Sequence, residues 1–120
     1  MFIPMTGGWR PMENEGNVVI YITTGTNEEA QKVAEALVEQ RKAACVNILP
    51  SVRSIFWWQD RLDSAQEILL IVKTKASLVN EIVRLVREVH SYDVPEIIAL
   101  PIVGGSRDYL EWIAREVLAE

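Results

Sequence analysis

The sequence predicts an α+β fold: two split βαβ units in tandem, the ferredoxin-like βαββαβ sandwich, followed by one extra C-terminal helix. Three observations carry this reading. Runs of β-branched and aromatic residues alternate with stretches of helical periodicity, in the order strand, helix, strand, strand, helix, strand, helix. Glycine, proline or a capping residue punctuates most of the changes of period. Finally, 120 residues at 49% hydrophobic and 24% charged match one globular domain rather than a disordered or fibrous chain.

The elements follow in order. Val18 to Thr24 is a β-branched and aromatic run ended by Gly25. Thr26 and Glu29 have the spacing of a capping box, and Ala30, Val33, Ala34, Leu37 and Val38 form the apolar stripe of a helix ending near Lys42. Ala43 to Leu49 is a second strand. Pro50 interrupts it, and pairing resumes through Arg53 to Trp58. Gln59, Asp60 and Arg61 form a hairpin turn, and Gln66 to Thr74 is the third strand. Ser77 is placed to cap a second helix with the stripe Leu78, Val79, Ile82, Val83, Val86 and Val89. Pro95 biases Val94 toward an extended backbone, and Glu96 to Val103 reads as the fourth strand. Pro101 has no backbone donor, so that strand is bulged or free-edged there. Gly104 and Gly105 turn the chain, and Ser106 caps a last helix carrying Leu110, Ile113 and Val117.

Residues 1–16 lack either period and are rich in Gly, Pro and Met. They read as a flexible leader, or alternatively as a docking segment through Phe2, Ile3 and Trp9. Residues 17–120 form the single domain. Right-handed crossovers place the two main helices on one face of the sheet. The strands carry apolar residues on both faces, so a second copy of the chain is expected to cover the other, giving a homo-oligomer.

Charge and motif content narrow the function. Acidic residues outnumber basic ones 17 to 12, for a net charge of −5, and Lys and Arg are not clustered. That argues against nucleic acid and against a polybasic membrane surface as partners. The longest apolar runs, Ile68 to Val72 and Ile97 to Val103, fall far short of the ~18–20 residues of a membrane span. The single cysteine, Cys45, excludes an intrachain disulfide and a Cys-x-x-Cys motif, and no secretory pattern precedes the domain; the cytoplasm is expected. A phosphate-cradling GxxxxGK[ST] loop, an HExxH helix and a GxSxG elbow are absent. The loop after the first strand, Thr23-Thr24-Gly25-Thr26-Asn27, holds no cation, which removes an acylphosphatase-type enzyme.

His90, the only histidine, ends the second helix and is followed by Ser91-Tyr92-Asp93-Val94-Pro95-Glu96. An imidazole, a phenol and two carboxylates are thus close in sequence, and a neutral imidazole is a good Cu(II) ligand. A lone histidine is otherwise a hydrogen-bonded structural residue. Cys45 sits in a strand of small apolar residues, either as a buried hydrophobe or as a soft Cu(I) ligand. Glu67 and Lys73 share the parity of one sheet face and read as a salt-bridged or solvated pair, or as ligand contacts. Phe56, Trp57 and Trp58 make an aromatic hairpin arm suited to an interface or to stacking on a planar ligand.

Five stretches in register resemble the divalent-cation tolerance (CutA) family: Ala44-Cys45-Val46-Asn47-Ile48, Ser54-Ile55-Phe56-Trp57-Trp58, Glu67 with Lys73-Thr74, His90-Ser91-Tyr92-Asp93-Val94-Pro95-Glu96-Ile97, and Tyr109-Leu110-Glu111-Trp112-Ile113. The resemblance covers about residues 18 to 118. It implies a PII-like homotrimer in which the long hairpin between the second and third strands reaches a neighbouring subunit. It implies a non-enzymatic role in the response to metal ions, with weak binding of Cu(II) or another divalent cation and no required cofactor. His90 and Cys45 are the metal candidates, and Trp58, Glu67, Lys73, Tyr92 and Glu96 the ligand-cleft candidates. The alternative is a PII-like signalling protein holding a small-molecule effector between subunits. Ser91 stands where the family usually has Pro, and Asp60 where it usually has Gly. Both departures leave His90 and Tyr92 in place, and Asp tolerates a left-handed turn.

Overall fold

The structure, a computed structural model, describes residues 16–118. The leader expected over residues 1–16 therefore lies outside the described residues except for Gly16, whose carbonyl accepts from the Ala76 amide at 2.9 Å. Strand β1 (Asn17–Thr24) is followed by helix α1 (Asn27–Glu39), strands β2 (Cys45–Trp58) and β3 (Arg61–Lys75), helix α2 (Val79–Val89), strand β4 (Ile97–Pro101) and helix α3 (Arg107–Glu116). The sheet order is β2-β3-β1-β4 with every neighbouring pair antiparallel, which is the ferredoxin-like topology expected.

Alternation along the strands divides the sheet into two faces. Ile20, Ile22, Leu70 and Val72 point to the helices and meet Val33, Leu37, Leu78, Ile82 and Val86 in a core with no solvent exposure. The opposite face carries Val19 and Tyr21 of β1, Ile71 and Lys73 of β3, and Ile98 and Leu100 of β4. Ile98 and Leu100 stay 50% and 40% exposed, so this second apolar face is open in the single subunit.

Local chemistry explains the boundaries. Thr26 caps α1 by accepting from the Glu29 amide at 3.1 Å. Only half of the capping box forms, because the Glu29 carboxylate turns instead to Ser91. Ser106 caps α3 as expected, accepting from the Tyr109 amide. Ser77 does not cap α2. The chain enters that helix through a short 3₁₀ turn, Ala76–Leu78, which places Ser77 inside the turn with its hydroxyl buried and unpartnered.

The hairpin is longer and more continuous than the sequence suggests. β2 runs through Pro50, because Leu49 pairs with Leu69 and Val52 with Glu67, leaving Pro50 and Ser51 opposite Ile68 alone. A bulge of this kind absorbs a residue that cannot donate to the ladder. Gln59 and Asp60 have φ of 51° and 64°, the two left-handed positions of a tight two-residue turn, so pairing extends to Trp58 and Arg61. β1 pairs only with Ile68 to Lys75, so the outer half of the hairpin is a two-stranded ribbon beyond the sheet. β4 is shorter than expected, and Pro101 ends it on the free edge of the sheet.

Candidate functional site

The site lies where that ribbon leaves the sheet. Directly opposed residues share a face, so Ser54, Phe56 and Trp58 of β2 lie with Asp63 and Glu67 of β3 on one side of the ribbon. Glu67 is 8% exposed, and its carboxylate accepts from Ser54 Oγ at 2.6 Å and from the Tyr92 hydroxyl at 2.9 Å. No Lys or Arg among the described residues pairs with it. Burial pushes the Tyr92 phenol up to about 12, helped by its hydrogen bond to Glu67 and by the charges of Glu67 and Glu29.

Tyr92 is held from behind by His90. The imidazole side chain is fully buried. Its Nε2 lies 2.7 Å from the Thr23 carbonyl, which can only accept, so Nε2 carries the proton. Its Nδ1 then accepts from the Tyr92 amide at 3.0 Å. Glu29 accepts from the Ser91 amide and hydroxyl, closing the other side of the turn. Gly25 leaves room for the phenol: a Cβ there would stand 3.2 Å from the Tyr92 hydroxyl oxygen. β1, α1 and the end of α2 thus hold the loop that carries Tyr92, and the hairpin supplies the carboxylate that Tyr92 meets.

Glu67 and Tyr92 form part of the wall of a cavity of about 920 Å³. The expected cleft residues Trp58, Glu67, Tyr92 and Glu96 all line it. Lys73 does not. It shares the face of Glu67, but six residues of strand separate them by about 20 Å, and its Nζ lies 5.8 Å from the centre of the Tyr109 ring. The salt-bridged pairing of Glu67 and Lys73 is therefore ruled out by the rise of the strand.

The metal candidates are not brought together. Cys45 pairs with Lys73, which itself pairs with Val19, whereas His90 contacts Thr23. Four positions along β1 are about 13 Å, and β2 is a further strand away from β1 than β3. Both nitrogens of His90 are already engaged, so neither is free to bind a metal without breaking the turn. Cys45 contacts Asn47 Oδ1 at 4.0 Å. Among the described residues no three His, Cys, Asp or Glu side chains converge as metal ligands. A resident metal centre on His90 and Cys45 does not fit this subunit.

Sequence reasoning missed Ser54, Asp63 and Glu29 as parts of the site. Strand alternation from Glu67 across the ladder marks the first two once the register is known. Glu29 was hidden because the capping box already accounted for it.

The family model described as CutA1 divalent ion tolerance protein matches residues 18–116. The chain is 47% identical over 95 residues to the divalent-cation tolerance protein CutA of Thermus thermophilus, covering 79% of this chain and 92% of the relative. It is 42% identical over 97 residues to the rice protein CutA 1, chloroplastic, covering 81% of this chain and 55% of the relative. The chain thus spans about half the length of that plant relative. The solved rice CutA1 structure superposes with a TM-score of 0.85 at 38% identity, covering 90% of this chain and all of that one (100%). A solved Archaeoglobus fulgidus CutA, described as periplasmic, superposes with a TM-score of 0.78 at 41% identity, covering 81% of this chain and 94% of that one.

These likenesses overturn the cytoplasmic expectation, since similar chains are named chloroplastic and periplasmic. A single cysteine and short apolar runs are compatible with all of those compartments, so they never discriminated among them. No helix among the described residues is long and apolar enough to cross a membrane.

Proposed function

The chain belongs to the CutA1 divalent ion tolerance family, and from that membership we propose that it works in divalent-cation tolerance as a non-enzymatic homotrimer whose ligand site is the cavity beside Glu67. The observation that carries the site is a carboxylate nine-tenths buried at a cavity wall, fixed by Tyr92 and Ser54. Divalent cations, Cu(II) among them, bind weakly there through carboxylate oxygens, with water or a neighbouring subunit supplying the remaining ligands. Weak binding follows from the lack of three convergent ligands among the described residues. A non-catalytic role is supported by the groups themselves: the buried imidazole has both nitrogens committed to the backbone, so it is not a free general base.

Assembly is supported by the open apolar face and by the ribbon. Ile55, Trp57 and Leu62 are 68%, 74% and 67% exposed on a two-stranded ribbon that is marginally stable by itself. A neighbouring subunit's sheet covers both.

Native mass spectrometry of the metal-stripped protein, titrated with Cu(II), tests this reading. The expected result is a trimer mass with weak copper uptake that Cys45→Ser leaves unchanged and Glu96→Gln reduces. A monomer overturns the assembly, and a trimer that takes up no copper overturns the metal part.

A further inference from the structure

We infer that the cavity beside Glu67 accepts an organic ammonium ion, a primary or alkylated amine in its charged form, held by the Glu67 carboxylate and by the aromatic walls. This rests on the reading above that the cavity is the ligand site, and it names the class of ligand.

The charge of the wall sets the sign of the ligand. Asp63, Glu67, Asp93 and Glu96 all line the cavity, and among the described residues no Lys, Arg or His lines it. An anionic ligand would meet uncompensated repulsion. Glu67 makes the stronger argument, because it is 8% exposed and no Lys or Arg among the described residues pairs with it. A buried carboxylate without a cation is costly, and a cationic ligand removes that cost. Each of its oxygens accepts one bond from the protein, Oε1 from Ser54 and Oε2 from Tyr92. Each therefore keeps one acceptor position for a ligand N–H.

The walls distinguish an organic cation from a metal ion. Phe56, Trp58 and Tyr92 line the same space as the carboxylates. Aromatic faces attract alkylammonium groups, whose charge is spread over C–H and N–H bonds. A small divalent ion demands several oxygen or nitrogen ligands at once, and no such set converges here among the described residues, so a divalent ion is held there only weakly. The volume of about 920 Å³ exceeds what a hydrated ion needs and suits an organic body attached to the cationic head.

Isothermal titration of the protein tests this with three probes: butylammonium, tetramethylammonium and the neutral alcohol 3,3-dimethylbutan-1-ol, whose tert-butyl group has the shape of a quaternary ammonium head without its charge. Indole NMR shifts of Trp58 locate the binding. Both cations are expected to bind saturably and to shift Trp58, with the neutral alcohol at least about tenfold weaker. Glu67→Gln, which keeps the shape of the side chain, should weaken the cations about tenfold or more. Trp58→Leu, remote from the hydrogen-bond network, should weaken tetramethylammonium more than butylammonium. Equal binding of the alcohol, or cation affinity unchanged in both variants, overturns the proposal. Cu(II) titrated in parallel separates the two readings. If Cu(II) binds and shifts Trp58 while the ammonium probes do not, the cavity stands as the ligand site and the organic-cation class fails. If none of the probes shifts Trp58, the cavity itself is not the site.

Discussion

Tyr92 donates its phenolic proton to Glu67 across 25 positions of sequence, at 2.9 Å. The bond joins the loop after α2 to the base of the hairpin ribbon. It fixes the one carboxylate at the cavity wall, among the described residues, that is nine-tenths buried. The loop end of that bond depends on His90, and the space for it depends on Gly25.

The first prediction concerns alkaline pH. The folded-state pKa of Tyr92 is raised from 10.0 to about 12, chiefly by burial and then by Glu67. The unfolded phenol ionises first, so its contribution to stability is complete below about pH 10 and is lost as pH rises toward 12. Thermal unfolding followed across that window should show a steeper decline in Tm for the native protein than for Tyr92→Phe. Parallel curves would show that Tyr92 titrates as a free phenol.

A second prediction concerns His90. Replacing it with Ala leaves the buried Thr23 carbonyl without its donor and the Tyr92 amide without its acceptor. The loss of stability should be about 1–3 kcal/mol or more, read from urea unfolding of the protein. Metal affinity should move little, because neither ring nitrogen is free in the native protein. A variant of native stability that loses all copper binding would reverse both assignments.

The hairpin turn supplies a third. Asp60 sits at φ 64°, a left-handed position that a side chain disfavours and Gly does not. Asp60→Gly should raise stability by up to about 1 kcal/mol, since the relief of strain outweighs the added freedom of the unfolded chain. Chemical denaturation of both proteins under identical conditions checks the sign. A less stable variant would mean that the Asp side chain contributes more to the turn than its backbone costs.

Several features of the site were legible along the chain. The motif from His90 to Glu96 marked the right loop, and the strand runs on either side of the turn placed Trp58 and Glu67 on the hairpin. Of the readings open for Glu67 and Lys73, the salt bridge failed because parity records which face a residue occupies and says nothing of its distance along the strand. The two metal candidates, Cys45 and His90, lie apart for a related reason. Both residues have metal-ligating chemistry, but sheet order puts Cys45 on an outer strand while His90 reaches the backbone of β1.

By itself the sequence determined the succession of strands and helices, a hairpin turn within Gln59 to Arg61, and the apolar surplus that leaves one sheet face open. Those properties are local: periodicity, capping and turn chemistry act between residues a few positions apart. Only the tertiary structure decided that Pro50 is carried in a bulge, that Ser77 is not a cap and that both nitrogens of His90 are committed. It also decided that Ser54 and Tyr92 converge on Glu67. Those outcomes depend on register and on contacts between residues distant in sequence, and a periodic pattern encodes the face of each residue without encoding its partner.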